Sequence, residues 1–159
     1  METKTLKLSE QKARSLYKTG SAEMKELLTE NFGEAFFSQS IMDRVKTMDD
    51  VYAELGEEPI NEEVCKKLGM NKNDIAYLKL TKLVKVLNEG WVAKVYDNEC
   101  RYYPWFEHNG SPSAFAFDVS DCGSSYAAAG SCSRLCFKTR ELSNYAGAQF
   151  IDLWREFIV

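Results

Sequence analysis

Five side chains in the second half of the chain have the types and spacing to hold a flat ligand. Arg101, Tyr102, Tyr103 and Trp105 lie in the run Arg101-Tyr102-Tyr103-Pro104-Trp105-Phe106, and Arg134 follows downstream with Lys138 and Arg140. Bases and other planar groups stack on aromatic sheet faces beside guanidinium groups, so an exposed set of this kind makes a binding platform. In a strand, though, successive side chains point to opposite faces, and only one face can be offered at a time. Rings on the other face belong to a core. Rings left open more often mark a contact with a protein than with a nucleic acid.

A second pattern runs through Asn61–Leu87. Val64, Cys65, Leu68, Gly69, Met70, Ile75 and Leu78 fall where a helix-turn-helix wants an apolar-faced helix, a glycine turn and a second apolar-faced helix. The chemistry is weaker than the spacing. A recognition helix offers Arg, Asn or Gln to base edges, whereas this one opens Asn71-Lys72-Asn73-Asp74, with an acid near the phosphates it would approach. From Asn61 to Gly90 there are six lysines against four acids, a mildly basic balance. Two core-packed helices joined by a glycine turn are the plainer account.

The soft ligands are too irregular for a metal. Cys122, Cys132 and Cys136 with the single His108 are spaced x9 and x3 between the cysteines, without the C-x2-C pair that clamps zinc. Asp118 with Asp121, and Glu107 beside His108, are carboxylate groupings of the kind that serve acid–base chemistry when buried, but turns favour aspartate on their own account. The Gly/Ser/Ala stretch Cys122–Ser133 matches neither phosphate-cradling glycine motif. The sequence therefore predicts no catalytic residue, no metal and no cofactor.

These residues sit in a chain of 159 with 45% apolar and 28% charged side chains, ordinary globular composition. The net charge of −4 argues against a broad phosphate-binding surface. No apolar run of about 18 residues could span a bilayer, and the N-terminus lacks the apolar core of a secretory signal. The expectation is a cytoplasmic protein, its five cysteines reduced.

Composition changes after Gly90. Residues 1–90 hold 14 basic and 16 acidic side chains but 6 of the 20 aromatics, and residues 91–159 hold the remainder. The first part predicts five helices: one to about Lys18 capped by Ser9, one capped by Ser21, one opened by Thr47-Met48-Asp49-Asp50, Glu62–Leu68 capped by Asn61, and Asp74 to about Asn88 opened by Asn73. In the second part the apolar period falls from 3.6 to 2, predicting strands at Trp91–Tyr96, Tyr102–Phe106, Ala114–Phe117 and Arg134–Phe137, with Pro104 forcing an edge or a bulge. A final helix from Arg140 to Ile158, capped by Thr139, carries the stripe Leu142, Tyr145, Ala146, Phe150, Leu153, Trp154 and Phe157. The fold class is α+β: a helical lobe over 1–90, then a small antiparallel sheet of three or four strands packed against a C-terminal helix.

Leu87-Asn88-Glu89-Gly90-Trp91, Tyr102-Tyr103-Pro104-Trp105-Phe106, Ser133-Arg134-Leu135-Cys136-Phe137-Lys138 and Tyr145-Ala146-Gly147 through Phe150-Ile151-Asp152-Leu153 together resemble a family of small uncharacterised proteins of gut Bacteroides-type bacteria and their prophages. The resemblance covers residues 75–159, and more loosely Leu8–Leu28. It implies a cytoplasmic protein of phage or mobile-element origin, and brings no catalytic residue with it. The function expected is a non-enzymatic protein-interaction module with an unidentified protein partner and no membrane association. The alternative is a DNA- or RNA-binding accessory protein using Asn61–Leu87 or the strand at 101–106.

Overall fold

A computed structural model describes residues 7–94, 99–107, 114–123 and 134–159. The chain forms two compact units, Met1–Arg44 and Val45–Val159, so the change in composition after Gly90 lies within the second unit.

The first unit is helical. Ser9 caps α1 (Glu10–Thr19) and Ser21 caps α2 (Ala22–Phe32), each hydroxyl accepting from the backbone N–H three residues on. Gly33, at φ 81°, turns the chain into α3 (Glu34–Ser38), followed by α4 (Ile41–Arg44). Both are too brief to show a period; α3 makes no side-chain cap bond, whereas the Ser40 hydroxyl caps α4 by accepting from the Asp43 N–H at 3.2 Å. Tyr17 stacks on Phe37 at 4.0 Å between centroids, and the Arg14 guanidinium lies 3.8 Å from the Phe36 centroid.

In the second unit the capping box Thr47/Asp50 opens α5 (Met48–Leu55), which Gly56 ends in the left-handed region. Asn61 caps α6 (Glu62–Lys67). Helix α7 (Lys72–Leu87) starts two residues earlier than the sequence suggests. Asn71, not Asn73, is the cap, exchanging side-chain bonds with Asp74, while the Asn73 amide donates to the Phe157 carbonyl at 3.0 Å. Ile75, Ala76, Leu80, Leu83, Val84, Val86 and Leu87 are all buried, making α7 the spine of the unit.

Strands β1 (Arg101–Glu107) and β2 (Ala116–Gly123) pair antiparallel, with Tyr102 opposite Cys122 and Pro104 opposite Ser120. Between Pro104 and Phe106 the register slips, so that Phe106 faces Phe117. One β1 residue, Trp105, therefore opposes two on β2, Asp118 and Val119: a bulge beside the proline that cannot donate to the ladder. Because of the extra residue, Phe117 and Ser120 reach the same face although they are three apart.

Among the described residues the sheet has these two strands, with a single bridge in which Tyr102 and Phe137 exchange backbone bonds of 3.0 and 2.7 Å. Residues 91–94 and 134–136, expected as strands, do not take strand conformation, and Val95 and Tyr96 lie outside the described residues. On the edge of this bridge away from β1, the buried Asn88 side chain at the end of α7 donates to the Cys136 carbonyl and accepts from the Lys138 N–H.

The expected C-terminal helix is two helices, α8 (Arg140–Gln149) and α9 (Ile151–Ile158), meeting at Phe150 with φ −111° and ψ 31°. At the break the backbone bonds from Phe150 N–H to the Ala146 carbonyl and from Trp154 N–H to the Phe150 carbonyl persist, and the Trp154 indole N–H gives the Ala146 carbonyl a second donor at 3.0 Å. The break gives each half its own partner: α8 packs on both strands, α9 on α7. Facing the hairpin are Ser143 and Gly147, small residues outside the predicted stripe, with the Ser143 and Ser120 hydroxyls 2.7 Å apart and buried.

The cysteines also depart from expectation. Cys100 and Cys122 form a disulfide with Cα atoms 5.7 Å apart, because Cys100 immediately precedes β1 and the pairing carries it alongside the end of β2. Cys65 and Cys136 are buried and lie outside any disulfide. Cys132 lies outside the described residues.

Candidate functional site

The hairpin separates the five residues that the sequence brings together. Pro104, Phe106, Phe117 and Ser120 face inward: a Cβ added to Gly147 of α8 would meet Phe117 and Pro104, and Phe106 lies 5.4 Å from Trp154 between ring centroids. Tyr102 shares this side, with the Arg140 guanidinium 5.3 Å from its ring centroid, while Arg140 also donates to the Ser120 carbonyl. Arg101 is 8% exposed. Arg134 stands at the surface on the segment leading to Phe137, away from the strand. Only Tyr103 and Trp105 remain for an open platform.

Those two share the outer face with the bulge residues and Asp121, which is paired with Tyr103. Trp105 is 54% and Val119 46% exposed, an apolar pair on this face. Around them Glu107, Asp118 and Asp121 are exposed, while Arg101, which alternation places on the same side, is buried. The face is therefore an aromatic and aliphatic centre set in negative charge. The acids, which the sequence offers as turn residues or a catalytic pair, are strand residues turned to solvent beside Trp105. Strand alternation alone could not show this, since it takes the bulge to place Asp118 and Val119 on one side.

The helix-turn-helix segment is laid out as its spacing suggests, with α6, Gly69 at φ 83° and then α7. Two of its lysines are bonded to acids. Lys79 bonds Glu62 at 2.6 Å, and Lys82 bonds Glu57, which Lys85 approaches at 3.7 Å. The hydrogen bond from Lys79 holds the Glu62 carboxyl below its ordinary pKa, and that from Lys82 does the same for Glu57. Burial works against the charge on Lys79, but its bond to Glu62 outweighs this and holds its pKa above the ordinary value. Much of α7 is enclosed by its neighbours rather than offered to a groove.

One cavity of about 530 Å³ opens elsewhere in the unit, where a stripe of α7 including Tyr77, Thr81 and Lys85 meets Trp91 and Arg134. As for the metal set, Cys122 is spent in the disulfide, and His108 and Cys132 lie outside the described residues; among the described residues no three His, Cys, Asp or Glu side chains gather to hold an ion. No helix among them is long and apolar enough to cross a membrane. The chain matches no family profile, no curated protein and no solved structure.

Proposed function

We propose that the protein is a non-enzymatic interaction module that docks a basic segment of a partner protein on the outer face of the β1–β2 hairpin. The observation that carries this is the exposed Trp105–Val119 pair bordered by Glu107, Asp118 and Asp121. An exposed indole amid carboxylates attracts a cation twice over, through its ring face and through the surrounding charge. The apolar centre supplies an anchor, and a polar rim excludes water around it. A second copy of the chain is disfavoured as occupant, since it would bring the same carboxylates against these.

The nucleic-acid reading draws little support from the same geometry. Three carboxylates repel phosphate at the open rings of the strand, and Lys79 and Lys82 of α7 are held by Glu62 and Glu57.

Selection from a displayed peptide library on the immobilised protein tests the proposal. Enriched sequences should combine Lys or Arg with an aromatic or aliphatic residue, and should be lost on Trp105→Ala. Enrichment of acidic sequences, or retention by the variant, would refute it.

A further inference from the structure

We infer a second binding site in this protein: the cavity between α7 and the chain after Gly90, with a ligand that is a small apolar molecule bearing one anionic head group. Its volume of about 530 Å³ lies within the roughly 300–1,000 Å³ typical of small-molecule sites. Along α7, Tyr77, Thr81, Val84 and Lys85 fall on one side of the helix and form one wall; Trp91 and Val92 form the other. Val92 is 75% exposed, an apolar side chain at the rim with nothing over it among the described residues.

The polar groups of the wall decide the ligand's chemistry. The Thr81 hydroxyl donates to the Leu78 carbonyl at 2.7 Å, Asn88 is committed at both ends, and the Trp91 indole N–H donates to Glu99 at 3.1 Å. What remains for a ligand is positive. Arg134 is exposed without a partner among the described residues, and Lys85 has only the 3.7 Å contact with a Glu57 already bonded by Lys82. Among the described residues no Asp or Glu lines the cavity. An apolar trough with two cations and no acid selects a hydrophobic body with a single negative head. A neutral ligand would leave the cations unused, and a polyanion would have to desolvate charge against Tyr77, Val84 and Trp91.

Calorimetric titration of the full chain with decanoate, below its aggregation concentration, tests this against decanol, decyltrimethylammonium and decyl sulfate. Decanoate should bind at one site, at least about tenfold tighter than decanol, a difference of roughly 1.4 kcal/mol. The ammonium should not compete. Decyl sulfate should compete, because the two cations set the charge of the head group and not its type. Arg134→Gln with Lys85→Gln should abolish the preference over decanol, and Thr81→Trp should weaken both ligands by filling the trough. Val92→Glu, at an exposed position that folding does not depend on, should cut decanoate affinity about tenfold or more. No decanoate binding, equal binding of decanol, or indifference to Val92→Glu would each overturn the site. So would self-association of the chain that Val92→Glu disrupts, which would make the trough a contact between copies.

Discussion

Gly147 of α8 lies so close to Phe117 of β2 that a Cβ on the glycine would overlap the ring, and would reach the Pro104 side chain at 3.0 Å. The glycine is required for approach and not for backbone conformation, since it sits inside a regular helix where it costs helical propensity. Gly147→Ala should therefore destabilise the protein, by about 1–3 kcal/mol, although alanine is the better helix former. Gly123, where an added Cβ meets only Tyr103 at ordinary distance, is the control: Gly123→Ala should stay within about 0.5 kcal/mol. Chemical denaturation of the two variants measures both.

Ser120 and Ser143 are each other's partners in a place without water. Removing one hydroxyl strands the other, so Ser143→Ala should cost about 1–3 kcal/mol. Removing both should cost less than the sum of the single changes, and the double-mutant cycle should give a clear coupling energy. Strict additivity would show that the pair does not fasten α8 to the hairpin.

The Cys100–Cys122 disulfide joins residues 22 apart at the end of a two-stranded hairpin, an arrangement with little stability of its own. Reduction, or Cys100→Ser with Cys122→Ser, should lower the free energy of unfolding by on the order of 3 kcal/mol, chiefly by freeing the unfolded chain. Melting curves with and without dithiothreitol provide the test, and thiol counting should change by two.

The ion pair of Glu62 with Lys79 ties α6 to α7 and sets a pH window. The bond to Lys79 lowers the Glu62 pKa below 4.5, so its contribution is present above that value and is lost as pH falls through the folded-state pKa. Burial opposes the charge on Lys79, but its pKa stays above 10.5, so on that side the contribution is lost only as pH rises through the still higher folded value. Glu62→Gln should thus be less stable than the parent near neutrality, by a modest amount for so exposed a pair, and should converge with it in acid.

The legible parts of the fold are those written locally. Ser9, Ser21, Thr47, Asn61 and Thr139 all cap the helices their types announce, because a cap depends on three or four consecutive residues. What depends on distant partners was not legible. Asn88 looks like a helix end and also holds Cys136 and Lys138 on either side of the Phe137 bridge; α8 and α9, divided at Phe150, have different partners. At the candidate site, the run Arg101 to Trp105 correctly marks the β1 strand, but alternation spreads it over two faces, and the bulge that gathers Asp118, Val119 and Trp105 has no sequence signature. The trough was invisible for a related reason: Arg134 reads as part of an aromatic platform until Trp91 and α7 are seen beside it.

The most direct test of the interaction surface is fluorescence anisotropy with three labelled probes: a Lys-rich peptide carrying one aromatic residue, its Glu-rich counterpart, and single-stranded DNA. The basic peptide should bind and weaken as salt rises, with Trp105→Ala reducing affinity at least about tenfold and Asp118→Asn with Asp121→Asn flattening the salt dependence. Binding of the DNA or the acidic peptide in its place, or basic-peptide binding indifferent to Trp105, would contradict the assignment of this face.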